Sequence, residues 1–170
     1  VIVTGFDLGM NTAGGFGEYI RIPSEWAVAK PNGLTLRESM IIGTAGFTAG
    51  LSVQGLVEHG VTPDKGDILV TGATGGVGSV AVALLAKAGF SVVACTGKKE
   101  HEAFLKALGA SKVITRDELL ENKERPMLKE LYAGAIDTVG GEYLAQAIKA
   151  TQYGGTVTCC GLTASAELNV

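Results

Sequence analysis

Cysteine is scarce in this 170-residue chain: Cys159 and Cys160 are neighbours and Cys95 stands alone, so no disulfide framework is available. Reduced thiols and a cytoplasmic setting are the expectation. Basic charge is in deficit, with 14 Lys and Arg against 17 Asp and Glu and a formal net charge of −3. The cations are also scattered. Nucleic acids and anionic membranes select for basic patches that release counterions, so neither is an expected partner. No uninterrupted apolar run reaches the ~18 residues that a membrane span needs, and no charged leader precedes an apolar stretch. Neither a membrane span nor a signal peptide is expected. The chain begins at Val1 and stops at Val170 just after a turn-like stretch, as a piece of something longer would.

What the chain has is apolar bulk and glycine. Hydrophobic residues make up 46% of it, and a chain this long buries about 70% of its unfolded surface without metal or disulfide staples. The 25 glycines fall at the ends of apolar runs. From Asp67 onward, short β-branched runs alternate with Ala- and Leu-rich ones. Strands are expected at residues 68–71, 91–95, 112–115, 135–139 and 156–160. Helices are expected at 79–88, 100–108, 118–131 and 142–150, with Pro126 either breaking the third or starting a second one. Strands apolar on both faces need helices packed above and below, so the expected fold is α/β, a doubly wound parallel sheet in three layers. The first third differs. Residues 16–22 and 26–29 read as strands, and residues 35–58 as a helix interrupted at Gly43, Gly46 and Gly50. A domain boundary is placed near residue 32.

The strongest chemistry lies in Val70-Thr71-Gly72-Ala73-Thr74-Gly75-Gly76-Val77-Gly78. A dinucleotide diphosphate binds where a strand turns sharply into a helix whose free N–H groups and positive dipole end face the anion. Gly75 and Gly78 occupy the last two of the usual three glycine positions and Ala73 the first, so the strict G-x-G-x-x-G fingerprint is not met. The strand before it and the helix after it are the context that supports the reading. A plain tight turn is the alternative. A phosphate loop of the NTPase kind is excluded, because no Gly-Lys-Ser or Gly-Lys-Thr ends the run. An NAD-selective site carries an acid about 20 residues on, at the tip of the second strand. Here that tip reads Ala94-Cys95-Thr96-Gly97-Lys98-Lys99. Thr96 can donate a hydroxyl hydrogen bond, Gly97 lets the backbone approach, and Lys98 or Lys99 can pair with a 2′-phosphate, which favours NADP(H). Arg116, at the tip of the third strand, is a candidate for the same ribose and adenine.

Gly43-Thr44-Ala45-Gly46-Phe47-Thr48-Ala49, residues 70–78, Thr96-Gly97-Lys98, Leu108-Gly109-Ala110-Ser111, Ile136-Asp137-Thr138-Val139-Gly140-Gly141, Tyr153-Gly154-Gly155 and Cys160-Gly161-Leu162 together resemble the zinc-free quinone-oxidoreductase branch of the medium-chain dehydrogenase/reductase superfamily. Within it the likeness is greatest to NADPH-dependent acryloyl-CoA reductases. The resemblance covers essentially the whole chain. It implies a subunit with a GroES-like substrate domain and a six-stranded Rossmann domain, residues 1–32 being the β-rich tail of the first and residues 33–170 the second without its last strand. It implies that Thr74, Gly75, Gly76 and Val77 hold the diphosphate, that Thr96, Gly97 and Lys98 hold the 2′-phosphate, and that Arg116 meets the adenosine end. Thr44 and the neighbourhoods of Val139 and Leu162 would approach the nicotinamide. Lys98 departs from the arginine usual in that subfamily, keeping the charge but losing the bidentate fork.

The implied reaction is hydride transfer to the β-carbon of an enoyl thioester or quinone, by a full-length homodimer. No proton donor is evident. His59 and His101 read as surface residues, Asp137 as a turn cap, and no clustered ligands for a metal are seen. A short-chain dehydrogenase is a rival, since residues 71–78 also fit its T-G-x-x-x-G-x-G turn, but no tyrosine has lysine four residues on to lower its pKa. A non-catalytic NADPH-binding module is another.

Overall fold

The computed structural model describes residues 1–169 and divides into two compact units, one spanning Val1–Phe47 and the other beginning at Thr48.

In the first unit the two expected strands do not form. Residues 16–22 adopt bends and a tight turn in which the Gly17 N–H donates to the Gly15 carbonyl, and a 3-10 turn takes Ser24–Trp26. Strand pairing here is limited to one antiparallel bridge, Ile2 with Val28, closed by two hydrogen bonds of 2.8 Å. A strand persists only where its backbone groups meet an edge, and residues 16–22 meet none among the described residues. Phe16 and Tyr19 accordingly stand exposed, while Phe6 and Trp26 stack at 4.9 Å. Helix α1, Leu36–Glu58, starts from a capping box: Thr35 N–H donates to the Glu38 carboxylate and Glu38 N–H to the Thr35 hydroxyl. It kinks at Gly43, where φ is +52°. Its length and composition would suffice to cross a bilayer, yet Ala49 and Leu56 are fully buried in the sheet core, which accounts for the apolar character of its second half.

The second unit is the expected three-layer sandwich. Its strands are β1 Asp67–Val70, β2 Val92–Thr96, β3 Lys112–Thr115, β4 Tyr132–Asp137 and β5 Thr151–Cys159. They pair in parallel in the order β3-β2-β1-β4-β5. Leu69 is in register with Val93 on one side and Ala135 on the other. Side chains alternate across each strand, so Ile68, Val70, Val92 and Ile136 pack on one face with helix α2, Gly76–Lys87. Leu69, Val93, Ile114 and Ala135 pack on the other with helix α5, Gly141–Ala150. Each buried Val, Leu or Ile side chain among these contributes about 1.5–3 kcal/mol.

Three helices differ from expectation, α2 opening three residues early at Gly76. The segment expected at 100–108 opens as a 3-10 turn, Lys99–His101, before α3 takes over at Glu102–Ala107. The segment expected at 118–131 forms only α4, Arg116–Leu120. Its start comes earlier because Thr115 and Glu118 make a second capping box, and its end comes sooner because Glu121, Lys123, Glu124 and Arg125 offer no apolar stripe to bury.

Candidate functional site

In a doubly wound sheet the crevice for a ligand opens where the strand order reverses, at the carboxyl ends of the strands. Here that point lies between β1 and β4. The turn leaving β1 bends at Gly72, where φ is +59°. A side chain there would put its Cβ 2.2 Å from the Thr138 hydroxyl and 3.0 Å from Val139, so glycine is required twice over. The tight-turn glycine is therefore Gly72, one residue before the Ala73 to which the fingerprint assigned that place. Ala73 is buried, and its N–H donates to the Cys95 carbonyl, tying the turn to β2. At Gly78 a Cβ would lie 2.3 Å from the Gly72 carbonyl oxygen, which is why the first turn of α2 can pack directly on the bend. Gly75 is the N-cap of α2 and supplies no capping side chain, and both Gly75 and Gly76 are exposed. The opening turn of a 12-residue helix thus presents backbone N–H groups, and the positive end of its dipole, to whatever occupies the crevice.

Opposite stands the turn after β4, held by a buried carboxylate. The Thr71 hydroxyl donates to Asp137 Oδ1 at 2.6 Å, and the N–H groups of Gly140 and Val139 donate to Oδ2 at 2.7 and 3.3 Å. The Thr71 hydroxyl also accepts from Thr138 N–H at 3.0 Å, while the Thr138 hydroxyl donates to the Thr71 carbonyl at 2.9 Å. These bonds lock the two sides of the crevice at a fixed separation. Asp137 is thereby a turn cap. The Cys160 N–H donates to the Asp137 carbonyl, extending the lock to the end of β5. Burial raises the Cys159 and Cys160 thiols above their ordinary pKa, and the Asp137 charge adds to this, so both stay protonated at neutral pH.

The tips of β2 and β3 complete the crevice at its far side. Thr74 and Thr96 share a hydrogen bond of 3.2 Å, and Lys98 N–H donates to Thr96 Oγ1 at 3.1 Å. Thr96 is buried, whereas Gly97, Lys98 and Arg116 are exposed. The Arg116 side chain lies along the bare face of Gly97, its Nε 3.0 Å from where a Cβ would stand, and its guanidinium carbon is 5.5 Å from the centre of the Tyr143 ring. Of the expected site residues, Thr74, Gly75, Gly76, Val77, Thr96, Gly97, Lys98 and Arg116 are contiguous around the glycine turn. Val139 flanks Gly72, and Leu162 lies beside Gly140. Thr44 belongs to the first unit, where its hydroxyl is 2.7 Å from that of Thr4. Tyr143 escaped sequence reasoning, since a single tyrosine on a helix carries no pattern that names its partner. Among the described residues no three His, Cys, Asp or Glu side chains are grouped to hold a metal ion, so they do not form the donor set that zinc requires.

Comparison with known proteins agrees with this geometry. The zinc-binding dehydrogenase family matches residues 76–170. The acrylyl-CoA reductase AcuI of Ruegeria pomeroyi is 45% identical over 168 residues, 99% of this chain and 51% of that protein. The YhdH oxidoreductase of Salmonella enterica, solved in complex with NADP, superimposes with a TM-score of 0.93 at 48% identity, covering 98% of this chain and 51% of that one. The Bacillus subtilis protein YhfP, solved with NAD bound, gives 0.94 at 47% identity over 98% of this chain and 50% of that one. The chain thus spans about half the length of the relatives it matches. With its strand order, its glycine turn and the pinned crevice between β1 and β4, the chain belongs to the zinc-binding dehydrogenase family of the medium-chain dehydrogenase/reductase superfamily.

Proposed function

We propose that this chain is the cofactor-binding part of an NADPH-dependent oxidoreductase that reduces an α,β-unsaturated carbonyl compound, an enoyl thioester or a quinone. The observation that carries the reading is the pairing of an uncapped, exposed α2 N-terminus with two cations, Lys98 and Arg116, at the neighbouring strand tips. The residues fit the group: a diphosphate needs backbone donors approached closely, which Gly75 and Gly76 permit, and a 2′-phosphate needs cations where an acid would otherwise serve a free hydroxyl. Thr74 and Thr96 line the path between the two anions and can donate to either. Val139 and Leu162, at the β4 end of the crevice, supply apolar surface for the nicotinamide end. When bound, a reduced nicotinamide supplies the hydride for the β-carbon, the α-carbon then taking a proton. The chain's own part is to seat and orient the cofactor and to exclude water from beneath it with the Asp137-pinned turn.

The same reading takes residues 1–32 as the end of a GroES-like substrate domain and residues 33–170 as the Rossmann domain. It also takes the full-length protein as a cytoplasmic homodimer acting on a small molecule, with no nucleic-acid or membrane partner. Support for the location is the set of three thiols, none in a disulfide. Because YhfP was solved with NAD, the nucleotide lacking the 2′-phosphate is the competing ligand.

Thermal unfolding separates them. NADPH at about a hundred times its Kd should stabilise the chain by about 2.7 kcal/mol, a rise in Tm of roughly 5–10 °C. NADH at the same concentration should give much less, and replacing Lys98 and Lys99 with alanine should narrow the gap. Equal shifts from both nucleotides would remove the 2′-phosphate assignment, and no shift from either would remove the cofactor site.

A further inference from the structure

We infer that Tyr143 is a positioning residue: its ring holds the Arg116 guanidinium beside the tip of β2, so that Arg116 and Lys98 act together on a ribose 2′-phosphate. The inference rests on the proposed nucleotide reading and deepens it, because it names what sets the preference between phosphorylated and unphosphorylated ribose.

Arg116 is the first residue of α4 and its side chain is exposed. Left to itself, a long side chain of this kind samples many rotamers, and fixing it on a ligand costs entropy at the moment of binding. Two features remove that freedom beforehand. On one side is Gly97, where an added Cβ would come within 3.0 Å of Nε, 3.1 Å of Cδ and 3.2 Å of Cζ, so the arginine occupies the space a side chain would take. On the other is the Tyr143 ring, 5.5 Å from Cζ, a distance at which the ring face attracts a cation. Tyr143 lies on α5 and packs against the core formed by Leu69, Val93, Ile114 and Leu119, so the platform is itself held in place.

A guanidinium held over a ring by its charge still has its N–H donors, the part that pairs with phosphate in a fork. Competing acids are few. The nearby Glu118 is engaged by the N–H and hydroxyl of Thr115 and faces Lys99 and Lys112, and Arg116 takes part in no ion pair among the described residues. Lys98 lies next to Gly97 on the same tip, its backbone fixed by the bond to Thr96. Lys98 alone provides a point charge, and the arginine adds the directional contact that a lysine lacks.

The test is calorimetric titration of the full chain with NADPH, NADH, 2′,5′-ADP and 5′-AMP. Tyr143→Leu should weaken NADPH and 2′,5′-ADP about two- to fivefold, the equivalent of one cation–π contact, and leave NADH and 5′-AMP unchanged. Tyr143→Phe keeps the ring face and should keep the preference. In an Arg116→Ala background, Tyr143→Leu should have no further effect. Should Tyr143→Leu fail to fold, Tyr143→Met removes the ring with an unbranched side chain that adapts to an irregular gap, and is read in the same way. Equal weakening of phosphorylated and unphosphorylated nucleotides, or the same loss without Arg116, would overturn the positioning role. If the unaltered chain prefers 2′,5′-ADP to 5′-AMP but ignores changes at Tyr143, the positioning role alone falls. If it shows no such preference, the 2′-phosphate reading falls and takes this inference with it.

Discussion

Asp137 is fully buried and holds the crevice together, because, besides the Cys159 thiol donating more weakly at 3.8 Å, the Thr71 hydroxyl and the N–H groups of Val139 and Gly140 converge on its carboxylate. Truncating it would leave those donors buried without partners, and each such group costs about 1–3 kcal/mol. Asp137→Ala should therefore destabilise the protein by roughly 3–5 kcal/mol in urea unfolding, a loss well above that of a typical substitution. A change below 1 kcal/mol would mean that water replaces the carboxylate. The turn-cap role was legible in the sequence, since an Asp at a strand tip commonly caps a turn. The partner in β1 was not, because nothing in the local pattern links position 71 to position 137. Gly72 teaches the same lesson from the other direction: the fingerprint counted glycines by spacing and stopped at Ala73, whereas the backbone bends where Thr138 and Val139 crowd the turn.

Among the elements, α4 shows how a short helix depends on its first turn. Five residues cannot sustain a helix by propagation, so the Thr115–Glu118 capping box supplies much of its stability, and the bonds from Thr115 hold the Glu118 carboxyl below its ordinary pKa. Thr115→Ala should cost about 1 kcal/mol and lower Tm by roughly 2–4 °C. An unchanged Tm would show that packing of Leu119 holds the helix without its cap. The motif Thr115-x-x-Glu118 was present to be read. The expected helix runs from 118 to 131, starting inside this motif and passing Pro126, whereas the charged stretch after Leu120 has no face to bury. The glycine turn was ambiguous for a different reason. Its residues suit short-chain dehydrogenases equally well, and the match of residues 76–170 to the zinc-binding dehydrogenase family removes that alternative.

Across the sheet-bearing unit, stability is tied to pH most strongly through two groups on the same core face, with the raised Cys159 and Cys160 thiols acting in the same direction. Burial pushes the Cys95 thiol up to about 12 and the Tyr132 hydroxyl up to about 12, from ordinary values of 9.0 and 10.0. Both groups are neutral when protonated, so the folded state holds protons that the unfolded chain gives up above pH 9. Their contribution is fully present below that point and is lost as pH climbs through the interval to about 12. The urea midpoint should stay flat from pH 7 to 8.5 and fall steadily above pH 9, and Cys95→Ala should flatten the first part of that fall. A midpoint independent of pH up to 11 would show that water reaches the thiol in the folded state.

The alternation of β-branched runs with Ala- and Leu-rich ones, the sharp strand-to-helix bend and the lysine-bearing tip of β2 are local properties, set by side-chain period and by where the backbone must pass without a Cβ, and they could be read directly from the residues. The ordering of strands that opens a crevice between β1 and β4, the Thr71–Asp137 lock across it and the placement of Arg116 between Gly97 and Tyr143 depend on packing between segments distant along the chain. Local pattern carries no information about such contacts, because their energy appears only when burial brings the partners together. The strands expected in the first 32 residues mark the limit of the local reading: their composition suits strands, but a strand needs a neighbour to pair with.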